Sequence, residues 1–175
     1  LVIGTGDLSE SALGWCTYNG DHMSMYAVNC SVPKTLMRNI VENEAKNCTD
    51  KSLSDTLFDI LNTPVSPELM PPEDGKIAQC TEEIIGPYAL HDFFIYYTVK
   101  YGFTNEKLLR LAEYAFDGEY TIADIEKCYN VFKRRFATQQ FKRSCAPDGV
   151  IIGSVNLSNY GGFSMPSDVD SDIFS

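Results

Sequence analysis

Apolar and polar positions divide the chain into a short α/β region followed by a mostly helical one. The apolar run at residues 1–3 predicts a buried strand, which breaks at Gly4 and Gly6 and restarts as a helix after Asp7. Loose alternation over 23–29 predicts a second extended segment. Helical spacing returns after Pro33 and over 52–62, 88–101, 104–116 and 121–136. The pattern therefore predicts an α/β fold that is mostly helical, with one or two short strands.

Capping residues and apolar faces define the predicted helices. Ser31 is a candidate N-cap followed by Pro33 in the first turn, while Ser52 with Asp55 and Thr121 with Asp124 read as capping boxes. Residues 88–136 supply three amphipathic helices, which predict a bundle packed on the α/β part. The positions predicted to face inward are Leu36, Met37, Ile40, Val41, Leu57, Ile60, Leu61, Ile122, Ile125, Tyr129, Phe132 and Phe136.

Two stretches carry strong loop signals. Four prolines between residues 63 and 75 predict an extended, rigid loop, which also contains Ser66. From Gly149 onward the chain is rich in Gly, Ser and Asn, which predicts an irregular segment that wraps over the surface.

Composition bounds the class of protein. With 175 residues and 44% hydrophobic content, the chain is long enough for a single domain, 1–175, with a real core. A net charge of −10 disfavours partners that need a cationic surface, such as nucleic acid or an anionic membrane. No apolar run approaches the length of a membrane span, and no leader precedes a cleavage site. We expect a soluble, cytoplasmic protein with neither nucleic acid nor membrane as partner.

The six cysteines are spread singly, without a C-x-x-C pair, and are interpreted as reduced thiols. An even count together with sequons at Asn29, Asn47 and Asn156 leaves three disulfides in a secreted protein as the alternative. The chain lacks an initiator Met and opens inside a predicted core strand, which indicates a piece of a longer polypeptide.

Candidate chemistry begins at the strand–turn–helix of residues 1–10. Gly4 and Gly6 allow a ligand to approach the backbone, and the carboxylates of Asp7 and Glu10 are hard ligands suited to Mg²⁺. The layout is typical of a nucleotide site. It is also ordinary α/β construction, because acidic residues stabilise the first turn of a helix.

Cations provide a second set of candidates. Lys34 in a first helical turn opposes the helix dipole, so its use is either to reach an anion placed there or to remain a solvated side chain. Five of the fourteen basic residues cluster within eleven positions, and they either bind ligand phosphates or pair with the acidic tail Asp168, Asp170 and Asp172. The clustered cations are Lys133, Arg134, Arg135, Lys142 and Arg143.

Several long motifs in the same order resemble one family. They are GTGDLSESALGWCTYNGDHMSMYAVN (4–29), VPKTL (32–36), ILNTPVSPEL (60–69), GKIAQCTEEIIGPYALHDFF (75–94), RRFATQQFKRSCAPDG (134–149) and MPSD (165–168). Together these segments resemble the C-terminal part of the synthetase domain of bacterial glutamine-dependent NAD synthetase.

The resemblance implies an adenine-nucleotide α-hydrolase-like fold of the ATP pyrophosphatase type and a ligase activity in NAD biosynthesis. Deamido-NAD would be adenylated by ATP with Mg²⁺, and ammonia delivered from a glutaminase domain would then displace AMP. By resemblance, Thr5, Lys34 and Ser66 would bind ATP, and Glu10 would serve Mg²⁺ or the dinucleotide. No residue of this part would act as a covalent nucleophile.

The resemblance also implies a set of dinucleotide contacts. The residues that match deamido-NAD contacts are Glu10, Trp15, Cys16, Thr17, Tyr18, Asp21 and Lys142. Core packing is the alternative for Trp15. Adjacent residues of a helix point about 100° apart, so His91 and Asp92 are not interpreted as a catalytic dyad but as residues at a subunit or substrate boundary.

These 175 residues lack two features of the family pattern. Neither the S-G-G-x-D-S loop that cradles ATP phosphates nor a glutaminase domain is found within them. We therefore expect a ligase fragment that is inactive by itself and, because its first strand is an unpaired edge, a homo-oligomer. A structural or oligomerisation module without ligand binding is the alternative, and an unrelated nucleotide-binding enzyme would need its own phosphate loop.

Overall fold

The computed structural model describes residues 1–65, 81–170 and 172, so the predicted ATP contact Ser66 lies outside the described residues. In the described part, a small parallel sheet lies beside a helical body. The strands are β1 (Ile3–Gly4) and β2 (Tyr26–Ala27). The helices are α1 (Leu8–Leu13), α2 (Lys34–Asn47), α3 (Lys51–Asn62), α4 (Thr81–Ile85), α5 (Tyr88–Ile95), α6 (Asn105–Ala115), α7 (Ile122–Thr138) and α8 (Gln140–Arg143), and a π-helical turn, Tyr96–Lys100, continues α5.

The sheet consists of two residue pairs. Ile3 pairs with Tyr26 and Gly4 with Ala27 in parallel register, and a single bridge joins Ala27 to Gly149. The prediction of a buried first strand is wrong for this chain, since Leu1 is 90% exposed and Val2 and Ile3 are also exposed. A parallel strand is buried only when elements cover both faces, and the described residues leave these side chains uncovered.

Helix α1 follows the predicted strand–turn–helix pattern. The Asp7 side chain accepts from the Glu10 backbone N–H, and the Glu10 carboxylate accepts from the Asp7 backbone N–H, which completes a capping box. Leu8, Ala12 and Leu13 are buried. The helix ends at Gly14, whose φ of 58° is the left-handed conformation that glycine adopts at least cost.

Helix α2 receives its cap from distant residues instead of from Ser31. The Ser31 hydroxyl donates to the Val150 carbonyl at 2.9 Å and accepts from the Ile152 N–H at 2.8 Å, so the prediction that it caps α2 is wrong. Pro33 occupies the N-cap without a side-chain hydrogen bond. The first free N–H groups of α2 are satisfied by the side chains of Ser9 and Asp92.

Helices α2 and α3 pack against each other as a hairpin with much of its surface open. Asp50 caps α3 through the Ser52 and Leu53 N–H groups, which replaces the predicted box of Ser52 and Asp55. The predicted inward positions Leu36, Ile40 and Ile60 are exposed, and Ala45 is the one buried residue of α2. Periodicity identified an apolar stripe but not which part of it the neighbouring helix covers.

The main core joins α1, α5, α6 and α7, as the predicted bundle requires. Ile125, Tyr129, Phe132 and Phe136 of α7 are buried as predicted, whereas Ile122 in the first turn is 57% exposed. The Thr121–Asp124 capping box is confirmed. The described thiols Cys16, Cys30, Cys48, Cys128 and Cys145 are free, which agrees with the interpretation as reduced cysteines. Within the described ranges, the search for a helix long and apolar enough to cross a membrane found none.

Candidate functional site

An ion-pair group joins the start of α1 to the start of α2. The Lys34 ammonium lies 2.6 Å from Asp7 Oδ2 and 2.7 Å from Glu10 Oε1. The anion that the position of Lys34 predicted is therefore present within the protein, as the two carboxylates of the α1 capping box. The side chain of Asp7 is nearly buried, whereas that of Glu10 keeps 22% exposure.

Burial governs the electrostatics of this group. Burial and the neighbouring Glu10 carboxylate raise the pKa of Asp7 to about 6, although Lys34 acts in the opposite direction. Burial alone would lower the pKa of Lys34, but the Asp7 and Glu10 carboxylates outweigh it and raise that pKa. Lys34 thus stays charged, and Asp7 takes up a proton at a higher pH than an ordinary aspartate does.

Three cations of the basic cluster converge on the end of α1. The Arg143 guanidinium donates to the carbonyl oxygens of Ser11 at 3.3 Å and Ala12 at 2.7 Å, and also to Phe136 O. Arg135 Nε donates to Leu13 O at 2.8 Å. The Lys142 ammonium donates to Gly14 O at 2.8 Å and Cys16 O at 2.6 Å.

These cations satisfy carbonyl groups that a helix leaves without partners at its C-terminus. Helix α1 has no basic residue in its own last turn, so the compensating charge comes from α7 and α8. Arg143 is 2% exposed and fully engaged inside the protein. Lys142 is less buried and has a third N–H beyond the two donated to carbonyls, so it is the member able to reach a ligand.

A cavity of about 70 Å³ lies beside this arrangement, between the sheet, α1 and the turn after α8. Four of the predicted dinucleotide contacts line it: Glu10, Cys16, Asp21 and Lys142. Gly4 and Gly6 also line it, as expected for glycines that admit a ligand to the backbone. His22, which sequence reasoning missed, lines the same cavity. Its position directly after Asp21, a predicted dinucleotide contact, was the available signal.

The remaining predicted dinucleotide residues lie around the loop that follows α1. Trp15 is partly buried against the core, and the Arg135 guanidinium lies 4.8 Å from its ring centroid, as the packing alternative describes. The Thr17 N–H donates to Asp21 Oδ1 at 2.6 Å. Tyr18 is exposed and stacks on His22 with centroids 5.3 Å apart. Asp21 and His22 thus hold the loop through its backbone and its aromatic ring.

A second cavity, of about 340 Å³, lies on the other side of the ion-pair group. It is lined by Lys34, Arg38 and Tyr88 and by residues 61–65, which lead toward Ser66. Tyr88 is buried, its ring faces the Lys34 ammonium at 5.5 Å, and its hydroxyl has no hydrogen-bond partner among the described residues. Tyr88 is a second residue that sequence reasoning missed, because its aromatic neighbours look equally apolar.

Thr5 lines neither cavity. Its side chain is exposed, and its carbonyl accepts from Asn29 Nδ2 at 3.3 Å. The flanking Gly4 and Gly6 line the first cavity, so Thr5 lies at its rim. Among the predicted ligand-binding residues, Glu10 and Lys142 share the first cavity. Lys34 lines the second cavity and contacts Glu10.

His91 and Asp92 have separate structural roles. The interpretation of this pair as a boundary is wrong for His91, which is fully buried with its Nε2 2.8 Å from the Ile85 carbonyl. The Asp92 carboxylate accepts from the Ser9 hydroxyl and from the Thr35 N–H at 3.0 Å. Asp92 therefore joins α5 to the N-terminus of α2, where it contacts Thr35, the residue directly after the ion-pair lysine.

The described residues contain no group of three or more His, Cys, Asp or Glu side chains arranged to hold a metal ion. Magnesium in nucleotide sites is bound by one or two carboxylates, with phosphates and water completing the octahedron. The partly exposed Glu10 carboxylate at the first cavity fits one such ligand, although it already accepts from Lys34. The residues present thus fit an ion that arrives with a nucleotide, not a cage built by the protein alone.

The chain is similar to glutamine-dependent NAD(+) synthetases. It is 34% identical to the glutamine-dependent NAD(+) synthetase of Mycobacterium leprae and 37% identical to that of Mycobacterium tuberculosis, in each case over 99% of the chain. The alignments cover 28% of each relative, so the chain spans little more than a quarter of their length. No protein-family model matches the chain.

The fold comparison gives the same assignment. The structure superposes on a crystal structure of a glutamine-dependent NAD(+) synthetase from Cytophaga hutchinsonii with a TM-score of 0.71, covering 98% of this chain and 25% of that one at 18% identity. At this identity the likeness shows the fold alone, a mostly helical α/β fragment. Because relatives at 34–37% identity match the chain almost end to end, it is a homologue of one segment of the glutamine-dependent NAD(+) synthetases.

Proposed function

We propose that the chain is part of a ligase that amidates deamido-NAD to NAD. In this reaction the nicotinate carboxylate attacks the α-phosphate of ATP, which forms an adenylate and releases pyrophosphate. Ammonia derived from glutamine then attacks the adenylated carbonyl, and AMP leaves as the amide forms. The described residues would supply binding and orientation, on an adenine-nucleotide α-hydrolase-like fold of the ATP pyrophosphatase type.

One observation carries this proposal: the group formed by Asp7, Glu10 and Lys34 separates two cavities. Asp7 and Glu10 line the smaller cavity and Lys34 lines the larger. A reaction that transfers the adenylyl group of a nucleoside triphosphate to a dinucleotide carboxylate needs two adjoining sites, with charged groups at their boundary. Two ligands in these cavities would meet at the ion-pair group.

The dinucleotide belongs, in this proposal, to the first cavity. Lys142 retains one N–H for a ligand phosphate, while Asp21 and Cys16 line the cavity and Thr17 and Tyr18 form its loop. Trp15 supports that loop through Arg135. The small volume, about 70 Å³, indicates that the described residues enclose only one end of a dinucleotide.

In this proposal ATP belongs to the second cavity, with Lys34 and Ser66 near its phosphates. Thr5 does not line this cavity and lies at the rim of the first. Lys34 donates to two carboxylates, and its remaining N–H has no hydrogen-bond partner among the described residues, so it is able to meet an anionic oxygen. Glu10 would ligate the Mg²⁺ that accompanies ATP. Bound there, the ion would neutralise charge that develops on the phosphates. Ammonia from a glutaminase domain and a homo-oligomeric assembly complete the proposal.

Calorimetric titration of the chain with deamido-NAD, with and without Mg-ATP, tests the ligand assignment. We expect binding of deamido-NAD and no formation of NAD when ATP, Mg²⁺ and ammonium are added, because the family's phosphate loop is not among these residues. A longer polypeptide that includes the loop is the matched control. Binding by neither would overturn the proposal, and NAD formed by the chain alone would overturn its inactivity.

A structural or oligomerisation module is the second candidate. Its support is the exposed apolar surface, in which Leu1, Ile40 and Ile60 are uncovered, together with the use of Arg135 and Arg143 inside the protein. Sedimentation across a concentration series separates the two candidates. An oligomer that binds no nucleotide would favour the module, whereas binding of deamido-NAD would favour the ligase part.

A further inference from the structure

His22 has one ring nitrogen committed to the protein and one that is not. Nδ1 lies 3.0 Å from the Thr17 carbonyl oxygen, and the ring stacks on Tyr18 at an interplanar angle of 28°. Nε2 is screened from solvent and has no hydrogen-bond partner in the part of the chain that the structure describes. The ring is therefore held in place, with a single unused polar atom.

The partner of Nδ1 decides the chemistry of Nε2. A carbonyl oxygen only accepts, so Nδ1 carries the hydrogen that is donated to Thr17. In the neutral ring, Nε2 then carries a lone pair and acts as an acceptor. Buried acceptors without a donor are rare in folded proteins, and each calls for an explanation such as a ligand.

The surroundings of His22 indicate which ligand group is suited to it. His22 lines the cavity of about 70 Å³ together with Glu10, Asp21 and Lys142. Asp21 and His22 hold the N–H and the carbonyl of Thr17, respectively, so the backbone of this residue is fixed from both sides. A neutral acceptor between charged side chains is complementary to an uncharged donor, such as a hydroxyl or an amide N–H.

We propose that His22 is a binding residue whose Nε2 accepts a hydrogen bond from a hydroxyl of a dinucleotide in this cavity. The proposal rests on the assignment of this cavity to the dinucleotide. It adds a contact that the family resemblance did not supply. Lys142 anchors a phosphate, and His22 recognises a neutral group of the same ligand.

Two substitutions at His22 separate ligand binding from loop support. The amide nitrogen of Asn occupies the position of Nδ1, so His22→Asn keeps the donor to Thr17 but removes the acceptor. The amide group of Gln reaches the position of Nε2, so His22→Gln keeps an acceptor but removes that donor. We expect His22→Asn to weaken deamido-NAD binding about tenfold, the factor that one ordinary hydrogen bond supplies, and His22→Gln to stay within about threefold of wild type.

The opposite order, with His22→Gln weakened and His22→Asn unchanged, would reduce His22 to loop support and overturn the proposal. Equal binding by both variants and wild type would overturn it while leaving the proposed function intact. Failure of the wild-type chain to bind would instead remove the dinucleotide assignment and this proposal with it. Because deamido-NAD carries no carboxamide, weaker binding of deamido-NAD by His22→Asn assigns the donor to a hydroxyl, and NAD should show the same loss.

Nitrogen NMR of the wild-type chain tests the same contact without a substitution. The chain has two histidines, and His91 is buried with its Nε2 against a carbonyl, so it is an internal reference. We expect deamido-NAD to shift the Nε2 resonance of His22 and not that of His91. An Nε2 resonance of His22 that is unchanged at saturation, or that shows a bound proton in the free chain, would contradict the proposal.

Discussion

The Arg143 guanidinium donates to the carbonyl oxygen of Ala12 at 2.7 Å, across 131 positions of the chain. This contact joins the segment after α7 to the C-terminus of α1, where the helix dipole leaves partial negative charge. Burial is the largest influence on the pKa of Arg143 and lowers it to about 10, so the guanidinium stays charged at neutral pH. The loop that carries the proposed dinucleotide contacts begins two residues beyond Ala12.

Removing this buried cation is expected to destabilise the fold. Arg143→Met keeps much of the side-chain volume but leaves the carbonyls of Ser11, Ala12 and Phe136 without their charged donor. We expect a loss of about 2–4 kcal/mol in the free energy of unfolding, measured by urea denaturation. Arg134→Met, at an exposed position of α7, is the matched control and should change it by less than about 0.5 kcal/mol. Equal effects of the two substitutions would contradict the role of Arg143.

Asp7 is expected to give the stability a specific pH dependence. The pKa of Asp7 is about 6 in the fold against an ordinary value of 3.8, so the folded state binds the proton more tightly than the unfolded state. The stability that the protonated Asp7 carboxyl contributes is present below pH 4 and is lost as the pH rises through 6. The unfolding free energy of wild type, relative to Asp7→Asn, should thus fall by about 3 kcal/mol at most between these pH values.

Urea denaturation at a series of pH values measures this difference. Asparagine also caps helices well, so Asp7→Asn preserves the start of α1 while removing the charge. Asp59→Asn, which removes a carboxylate from an exposed position of α3, is the matched control substitution. A wild-type curve parallel to that of Asp7→Asn would show that folding does not raise the pKa of the Asp7 carboxyl.

Lys142 is expected to matter for both the loop and the ligand. Lys142→Met removes two donations to the Gly14 and Cys16 carbonyls and the third N–H assigned to a ligand phosphate. We expect deamido-NAD binding to weaken by about tenfold or more, as measured by calorimetry. Lys127→Met removes the same charge from an exposed position of α7 and should bind as wild type does. An unchanged dissociation constant for Lys142→Met would contradict the ligand role.

Gly149 is expected to tolerate no side chain. A Cβ at this position would lie 2.2 Å from the carbonyl oxygen of Ala27, a backbone atom of β2 that has no rotamer to change. We expect Gly149→Ala to cost about 1–3 kcal/mol in unfolding free energy. At Gly6 the nearest atom to a new Cβ is the Glu10 carboxylate at 3.8 Å, an ordinary contact. Gly6→Ala is therefore the control, and a loss of stability as large as that of Gly149→Ala would argue against the steric explanation.

Local chemistry explains which elements sequence reasoning predicted well. The capping boxes of α1 and α7 depend on side chains three positions apart, so their geometry follows from the chain itself. The start of α2 was mispredicted because its caps, Ser9 and Asp92, come from other elements. Of the predicted inward residues of α3, Ile60 is exposed whereas Leu57 and Leu61 are half-buried, because periodicity identifies an apolar stripe but not which part of it packing covers.

The candidate site divides in the same way. Motif order along the chain identified Glu10, Asp21 and Lys142, which line one cavity, because homologous segments preserve sequence even when they are far apart. His22 and Tyr88 are candidates only because each has a buried polar atom without a hydrogen-bond partner among the described residues. Whether one polar atom is buried without a partner depends on the packed structure, so the spacing of residues along the chain does not predict it.

The sequence by itself determined that this chain is a mostly helical α/β segment homologous to glutamine-dependent NAD(+) synthetases. Helical periodicity, local caps and the order of motifs depend only on the order of residues along the chain. Only the tertiary structure decided what the cations do. From the sequence, the cluster that contains Arg135, Lys142 and Arg143 was interpreted either as a phosphate site or as a partner of the acidic tail. In the structure these three side chains donate to carbonyl groups at the end of α1. The physical reason is that unpaired helix carbonyls attract cations from any part of the chain that packing brings within reach.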